Sequence, residues 1–486
     1  MDEKTIAMFI AVCVVLTLLC TPANAWSEDS TEFRLTDKPI LKSDRAVMLA
    51  ESSASYVFQL SDMAAADKVD GLADELCEGA KLYRTDDLAL IEQLEAENVI
   101  AQYALDGTIR LDGLSEDIEA LGREDYRNAM LGYSYASAHS ITGSGIKIAM
   151  IDSGLWSSFS KHSSATILPG VNYLVDAENS ERNNVEDTYG HGTFATSIIC
   201  GNDIGLAPGV SILPLKCFDG ATSEYSYVIE AINKAIEEDC DIINLSLGGT
   251  EQYPLLEEAV QLALDSGIIV IASAGNITSL TGSTGDDAPR YPAAHEGVIS
   301  VGAVDNTKNV WKKSVQNSSV CVVAPGAAVS GLSFATGELI TNNGTSFAAP
   351  IVTATAALAL SVDGSLSSAE FTALLTSTAE DLGAEGKDNS YGYGLINPAL
   401  LLATISEDNE SLILSRWDGG IGVSANIASP DAIHLMAFYD ESGRMISVKS
   451  KERLCNFKLP ANTKQLALFS VGATSFIPMQ ITRKIT

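Results

Sequence analysis

The sequence predicts an α/β fold: a doubly wound, mostly parallel sheet, preceded by a small α+β unit and followed by a small β-sandwich-like domain. Three observations predict it. Between Gly143 and Leu402, near-continuous apolar runs alternate with helical segments, the signature of strands buried on both faces of a parallel sheet. Upstream, short strand and helix patterns alternate between polar breaks. From Ser411 onward the text changes to strands separated by turns. At 486 residues the chain is also long for one domain. The boundaries that follow are 1–25, 47–115, 131–405 and 411–486.

The first of these is an export signal. Ile6 to Cys20 is one apolar run, short for a bilayer span, followed by the small-residue cleavage pattern Ala23-x-Ala25. A secretory signal peptide at 1–25, and a secreted product with no stable membrane insertion after cleavage, are expected. Asp2 and Glu3 beside Lys4 make a poor n-region, so an uncleaved membrane tether is the alternative. The formal net charge of −33, from 63 acidic and 30 basic residues, disfavours nucleic-acid and anionic-membrane partners. Of eight cysteines, Cys13 and Cys20 leave with the signal. Cys77, Cys200, Cys217, Cys240, Cys321 and Cys455 are too sparse for a disulfide framework and read as buried apolar residues.

In the unit 47–115, Tyr56 to Leu60 reads as a strand, Met63 to Leu76 as a helix and Ala80 to Tyr83 as a second strand. Asp86 or Asp87 caps a helix whose Leu88, Ile91 and Leu94 share a face. Val99 to Leu105 and Thr108 to Leu111, joined at Asp106-Gly107, read as a terminal hairpin. A helical link spans Ser115 to His139. The large domain then opens on the strand Ile146 to Ile151. Further strands follow at Val210 to Leu215, Ile242 to Leu247, Ile268 to Ala272, Val298 to Val301 and Cys321 to Ala324. Tyr227 to Glu238 and Leu255 to Ser266 are among the helices between them. In the last unit, Ile433 to Tyr439 and Met445 to Val448 form a hairpin, with strands at Leu454 to Leu459 and Gln465 to Val471.

Chemistry concentrates in the large domain. Asn342-Asn343-Gly344-Thr345-Ser346 is a polar turn that runs into Phe347-Ala-Ala-Pro350 and the apolar helix Ile351 to Leu360. Ser346 therefore stands at a helix start, where backbone N–H groups lack partners and negative charge is favoured. Pro350 fits a first turn, where its missing N–H has no acceptor. Alone, Gly-Thr-Ser is more simply a helix cap. Three other residues change the reading. Asp152 ends the first strand of the domain, and His191 opens an apolar helix in Gly190-His-Gly-Thr193. Asn276 ends Ala272-Ser-Ala-Gly-Asn276. A serine nucleophile needs a base and a group to orient that base. Imidazole titrates near neutrality, a buried carboxylate fixes its tautomer, and a side-chain amide donates to an oxyanion without carrying charge. His139, His162, His295 and His434 lack such flanks. Asp187 reads as a solvated loop carboxylate, with a cation ligand as the alternative.

The order Asp, His, Ser with these flanks resembles the subtilisin-like serine peptidases, the subtilases of peptidase family S8. Matching segments are Ile148 to Gly154, Gly190 to Thr193, Gly205 to Pro208, Ile243 to Gly249, Ala272 to Asn276, Ala324 to Gly326 and Gly344 to Pro350. The resemblance spans roughly Tyr133 to Leu402. It implies a secreted serine endopeptidase with an acyl-enzyme at Ser346, His191 as general base, Asp152 orienting it and Asn276 in the oxyanion hole. It further implies that protein or peptide substrates bind against Ser246, Leu247, Gly248 and Gly249, with Ala272, Ser273, Ala274 and Gly275 walling the primary pocket. The unit 47–115 resembles the family's propeptide, an intramolecular inhibitor removed by self-cleavage between Leu111 and Tyr126. Two positions depart from the family pattern: Phe194 replaces a non-catalytic histidine, and Phe347 replaces a methionine. The loop between His191 and Ala207 is short compared with the family's calcium-dependent secreted members, so calcium is possible but not asserted, and neither metal nor cofactor is assigned. The alternative function is a catalytically silent binding or structural protein on the same fold.

Overall fold

The structure, a computed structural model, describes residues 55–406 except 62–65, 67, 70, 78, 112–125, 176–178 and 278–286, together with the backbone of seven strands between 412 and 484. The signal segment, the leader after it, Cys455 and the start of the helix expected at Met63 lie outside the described residues.

In the first unit, β1 (Tyr56–Leu60), β2 (Asp74–Cys77), β3 (Leu82–Thr85) and β4 (Ile100–Leu105) form an antiparallel sheet in the order β2-β3-β1-β4. Helix α1 (Leu88–Ala96) is capped by Asp87, whose Oδ1 accepts the N–H of Ala89 at 2.9 Å. It buries Leu90, Ile91 and Leu94 in a core with Tyr56, Phe58 and Val99. Two expectations need correction. Asp74–Cys77, the end of the expected helix, is a strand, because Leu76 and Cys77 are buried while their backbone pairs with β3. The hairpin does not form: β5 (Thr108–Leu111) leaves β4 altogether. The common two-residue hairpin turns need positive φ at least at the first position, and neither Asp106 nor Gly107 adopts it.

Two short helices, α2 (Tyr126–Leu131) and α3 (Ser134–Ala138), lead into the large domain. Its strands are β6 (Lys147–Asp152), β7 (Thr166–Ile167), β8 (Val171–Asn172), β9 (Ser211–Lys216), β11 (Ile242–Leu245), β13 (Ile269–Ser273), β14 (Ile299–Val304) and β15 (Val322–Pro325). They pair in parallel in the order β15-β14-β13-β11-β6-β9-β7, with β8 also on β9. Alternate residues of β6 feed two cores, as side chains alternate along a strand. Ile148 and Met150 join the face covered by α4 (His191–Cys200) and α7 (Thr345–Val362). Ala149 and Ile151 join the face covered by α5 (Tyr225–Glu237) and α6 (Pro254–Asp265). Helix α7 is long and apolar enough to cross a membrane, but it is buried from Thr345 to Leu360 and is a core helix here.

Two short strands, β10 (Thr222–Glu224) and β12 (Leu247–Gly248), lie off the large sheet, and β5 sits between them. The domain is completed by the hairpin β16 (Val329–Leu332) and β17 (Leu339–Asn342) and by helices α8 (Ser368–Thr378) and α9 (Pro398–Ile405). Beyond it, β18 (Leu412–Trp417), β19 (Gly420–Ala425) and β22 (Phe457–Lys458) form one antiparallel sheet. The strands β20 (Ala432–Tyr439), β21 (Met445–Lys451), β23 (Gln465–Gly472) and β24 (Met479–Lys484) form another, ordered β21-β20-β23-β24. Among the described cysteines, Cys77, Cys200, Cys217 and Cys240 are free and buried, and Cys321 is free and half-buried. Burial pushes the thiols of Cys200 and Cys240 up to about 12 and that of Cys321 up to about 11, which keeps them inert.

Candidate active site

Asp152 is the last residue of β6, at the carboxyl edge of the sheet, where loops rather than strands continue the chain. It is 1% exposed, and its Oδ1 accepts the N–H of Ser153 at 2.7 Å and Nδ1 of His191 at 2.8 Å. Oδ2 lies 3.0 Å from the same nitrogen. This contact holds His191 with Nδ1 as the donor and leaves Nε2 as the basic nitrogen.

His191 is the first residue of α4, and its position depends on two glycines. Gly190 caps the helix at φ +96°, a conformation that favours glycine, and a Cβ there would lie 2.4 Å from the ring of Phe334. At Gly192 a Cβ would meet the carbonyl of Gly154 at 2.3 Å, so only glycine lets α4 approach the end of β6 this closely. Because Gly190 offers no capping side chain, the carboxylate of Asp187 takes that role, accepting the N–H of Thr193 at 2.9 Å. Asp187 is 1% exposed. The solvated loop carboxylate expected from sequence is therefore buried, because the orphan donors of the helix start draw it inward.

Ser346 is the second residue of α7, so its backbone N–H has no acceptor within the helix. Its Oγ donates to the carbonyl of Ser246 at 3.0 Å, and Oγ of Ser246 donates back to the carbonyl of Ser346 at 2.8 Å. Pro350 explains the second bond. It stands six residues into α7 rather than in the first turn, and its missing N–H is the one that would have bonded Ser346. Ser246 satisfies the carbonyl instead. Behind it, Asn244 Nδ2 donates to Ser246 Oγ at 3.0 Å, and Asn244 Oδ1 accepts the hydroxyl of Thr353 at 2.8 Å, so β11 and α7 share one buried polar chain.

Asn276 follows β13. Its Oδ1 accepts both the N–H of Thr345 at 3.1 Å and its hydroxyl at 2.9 Å. Two donors on one atom identify that atom as oxygen, and the NH2 end is turned away from Thr345. The hydroxyl of Thr345 in turn accepts the N–H of Gly275 at 3.2 Å. Thr345 therefore ties the amide to the residue beside Ser346, a role that only its place in Gly-Thr-Ser hinted at.

The structure joins Asp152 directly to His191, and the His191 ring lies 5.4 Å from that of Phe347, the neighbour of Ser346. The Phe347 ring is also 4.5 Å from Phe194. The two positions that depart from the family pattern are thus a single aromatic contact. Among the residues expected to bind substrate, Leu247 and Gly248 pair with Leu111 and Arg110 of β5, whereas both backbone groups of Gly249 bond Tyr291. Ala272, Ser273 and Ala274 are buried, and the N–H of Ala274 goes to the carbonyl of Val301. On the other side, Arg110, Ile109 and Thr108 pair with Thr222, Ser223 and Glu224. Ile109 and Leu111 point into the core while Thr108 and Arg110 are exposed.

Beneath Asp152 lies Lys216, 4% exposed, whose Nζ donates to the carbonyls of Ser153 at 2.8 Å and Phe218 at 3.0 Å. Burial lowers its pKa, while Asp187, Asp219 and Asp152 act to raise it. Sequence reading passed over this lysine, because it lies in an ordinary strand. Among the described residues, no group of three or more His, Cys, Asp or Glu is placed to hold a metal ion.

Comparison with known proteins accords with this arrangement. The family model described as Peptidase_S8, Subtilase family, matches residues 143–394. Subtilisin DY of Bacillus licheniformis is 35% identical over 268 residues, 54% of this chain and 92% of that protein. Subtilisin E of Bacillus subtilis (strain 168) is 37% identical over 262 residues, 53% of this chain and 65% of that protein. Among solved structures, that of a lanthipeptide protease aligns with a TM-score of 0.50 at 26% identity, covering 58% of this chain and 94% of that one.

Proposed function

The chain belongs to the subtilase family and is a subtilisin-type serine endopeptidase, and from that premise we propose how its own residues perform the reaction. Ser346 attacks the scissile carbonyl, His191 takes its proton through Nε2, and Asp152 holds the imidazole and stabilises the imidazolium. Attack begins when the Ser346 hydroxyl leaves the carbonyl of Ser246 for the imidazole. The backbone N–H of Ser346 and the NH2 of Asn276 stabilise the oxyanion in a site preorganised by Thr345. Leu247 and Gly248 bind substrate backbone on one side and β10 binds it on the other. Ala272 to Gly275 wall the primary pocket. The observation that carries this reading is the buried Asp152–His191 bond of 2.8 Å at the carboxyl end of β6.

The unit 47–115 acts as the intramolecular inhibitor. Its β5 already fills the groove between β10 and β12 in the manner of a substrate strand, and self-cleavage falls shortly after Leu111. The enzyme is exported through the signal at 1–25. The likeness to a lanthipeptide protease favours maturation of particular peptides over general digestion. Labelling with a fluorophosphonate tests the core of this reading. The parent chain is expected to label once and to lose both label and turnover in Ser346→Ala, a loss on the order of 10⁶-fold, the size established for subtilisin itself. Labelling or turnover that persists in Ser346→Ala rejects it.

A further inference from the structure

We infer that Asp187 and Ser153 form a positioning clamp that fixes the His191 imidazole by holding the backbone amides on both sides of it. The inference rests on the proposed roles of His191 and Asp152. Five donors reach Asp187. On Oδ1 they are the Ser153 hydroxyl at 2.9 Å and the N–H groups of Tyr189 at 3.0 Å and Gly190 at 2.6 Å. On Oδ2 they are the N–H of Thr193 at 2.9 Å and its hydroxyl at 2.6 Å. The Ser153 hydroxyl also accepts the N–H of Gly192 at 2.9 Å. Residues 189, 190, 192 and 193 therefore all donate into the pair, with His191 between them. The N–H of Ser153 bonds the same Asp152 oxygen that takes His191 Nδ1, which closes the ring of contacts.

The physical need is plain. The end of β6 carries Asp152 and the start of α4 carries His191, 39 residues apart in sequence. Without a brace, a small slide of α4 along β6 changes the angle of the imidazole towards its proton donor. A misplacement near 1 Å costs about 10²-fold in rate. A carboxylate accepts only, so it serves five donors at once. An amide at 187 has one oxygen and two unwanted donors and breaks the set.

The test uses the full-length chain, with processing completed in trans by parent enzyme where a variant is slow. Active sites are counted by fluorophosphonate titration, so misfolded protein does not enter kcat. Relative to the parent, kcat is expected to fall about tenfold in Ser153→Ala and about 10²-fold in Asp187→Asn, with KM changed by less than about twofold. Ser153→Thr, which keeps the hydroxyl, is expected to restore most of the loss. The double variant is expected to be no worse than Asp187→Asn alone, since both act through one network. Unchanged kcat in Ser153→Ala, a change in KM alone, or a loss accounted for by fewer titratable sites overturns the clamp. If Asp187→Asn gives no titratable sites, the two Ser153 variants decide. His191→Ala separates the two levels. Retained turnover there rejects the base assignment, whereas a dead His191→Ala beside fully active clamp variants rejects the clamp alone.

Discussion

The proposed reaction centre and the strand docked beside it are built on opposite principles. At the centre, Asp152, His191 and Ser346 are essentially buried, and Asp187, Ser246 and Asn244 behind them are tied to neighbouring elements by hydrogen bonds. Strand β5 is held instead by backbone ladders to β10 and β12 and by the side chains of Ile109 and Leu111. Just before it, Asp106 caps α5 by accepting the N–H of Ser226 at 3.0 Å, yet its Oδ2 is buried without a hydrogen-bond partner. An unpaired buried polar atom costs roughly 1–3 kcal/mol. On the proposed reading, the centre must keep one geometry through every turnover, whereas a segment that is to leave tolerates a flaw in its seat.

That contrast can be broken from either side. The largest effect is expected at the centre: Asn276→Ala should cut kcat by about 10²–10³-fold, the size established for the corresponding subtilisin position, while binding of the N-terminal unit is unchanged. Equal turnover in the variant would remove Asn276 from the oxyanion hole. Next comes the seat of β5. Burial lifts Asp106 to about 6 when docked, with Glu224 adding to the shift and the Ser226 donors opposing it; once undocked and exposed it titrates near an ordinary 3.9, roughly two units lower. Docking thus favours the protonated form. It should be tightest below about pH 4, weaken as pH rises through about 6 and be level above that, by up to about 10²-fold in all. The fraction of cleaved unit still bound at about pH 4.5 and 7.5 checks this. Asp106→Asn should flatten the profile without altering kcat, and a profile that stays steep would assign the dependence elsewhere. The smallest effect concerns Phe347, buried against His191 and Phe194. Phenylalanine forms no sulfoxide, so activity should survive mild peroxide that inactivates Phe347→Met. Comparable losses in parent and variant would contradict that.

How much of this was legible varies by residue. Asp152, His191, Asn276 and Ser346 stand in short motifs that pair a functional group with its own local geometry, so sequence could nominate them for the proposed site. Six strands of the large sheet were legible because they are largely buried on both faces and so mostly apolar, whereas β7 and β8, two residues each and partly exposed, were not. Asp187 was not, since nothing local distinguishes a loop carboxylate in water from one that caps a buried helix four residues on. Nor was Pro350, whose meaning depends on where α7 begins, nor the contact that makes Phe194 and Phe347 one change rather than two.

Sequence by itself determined the alternation of strands and helices, the residue types at the proposed reaction centre and the acidic balance of the chain. Tertiary structure alone decided which partners those residues take. Apolar periodicity and turn chemistry are properties of a few neighbours along the chain, but the Ser246–Ser346 exchange joins groups 100 residues apart. Likewise β5 found its partners more than 100 residues downstream, in β10 and β12, rather than in adjacent β4. An exposed strand edge offers the same donors and acceptors whatever its sequence, so only the assembled groove could select it.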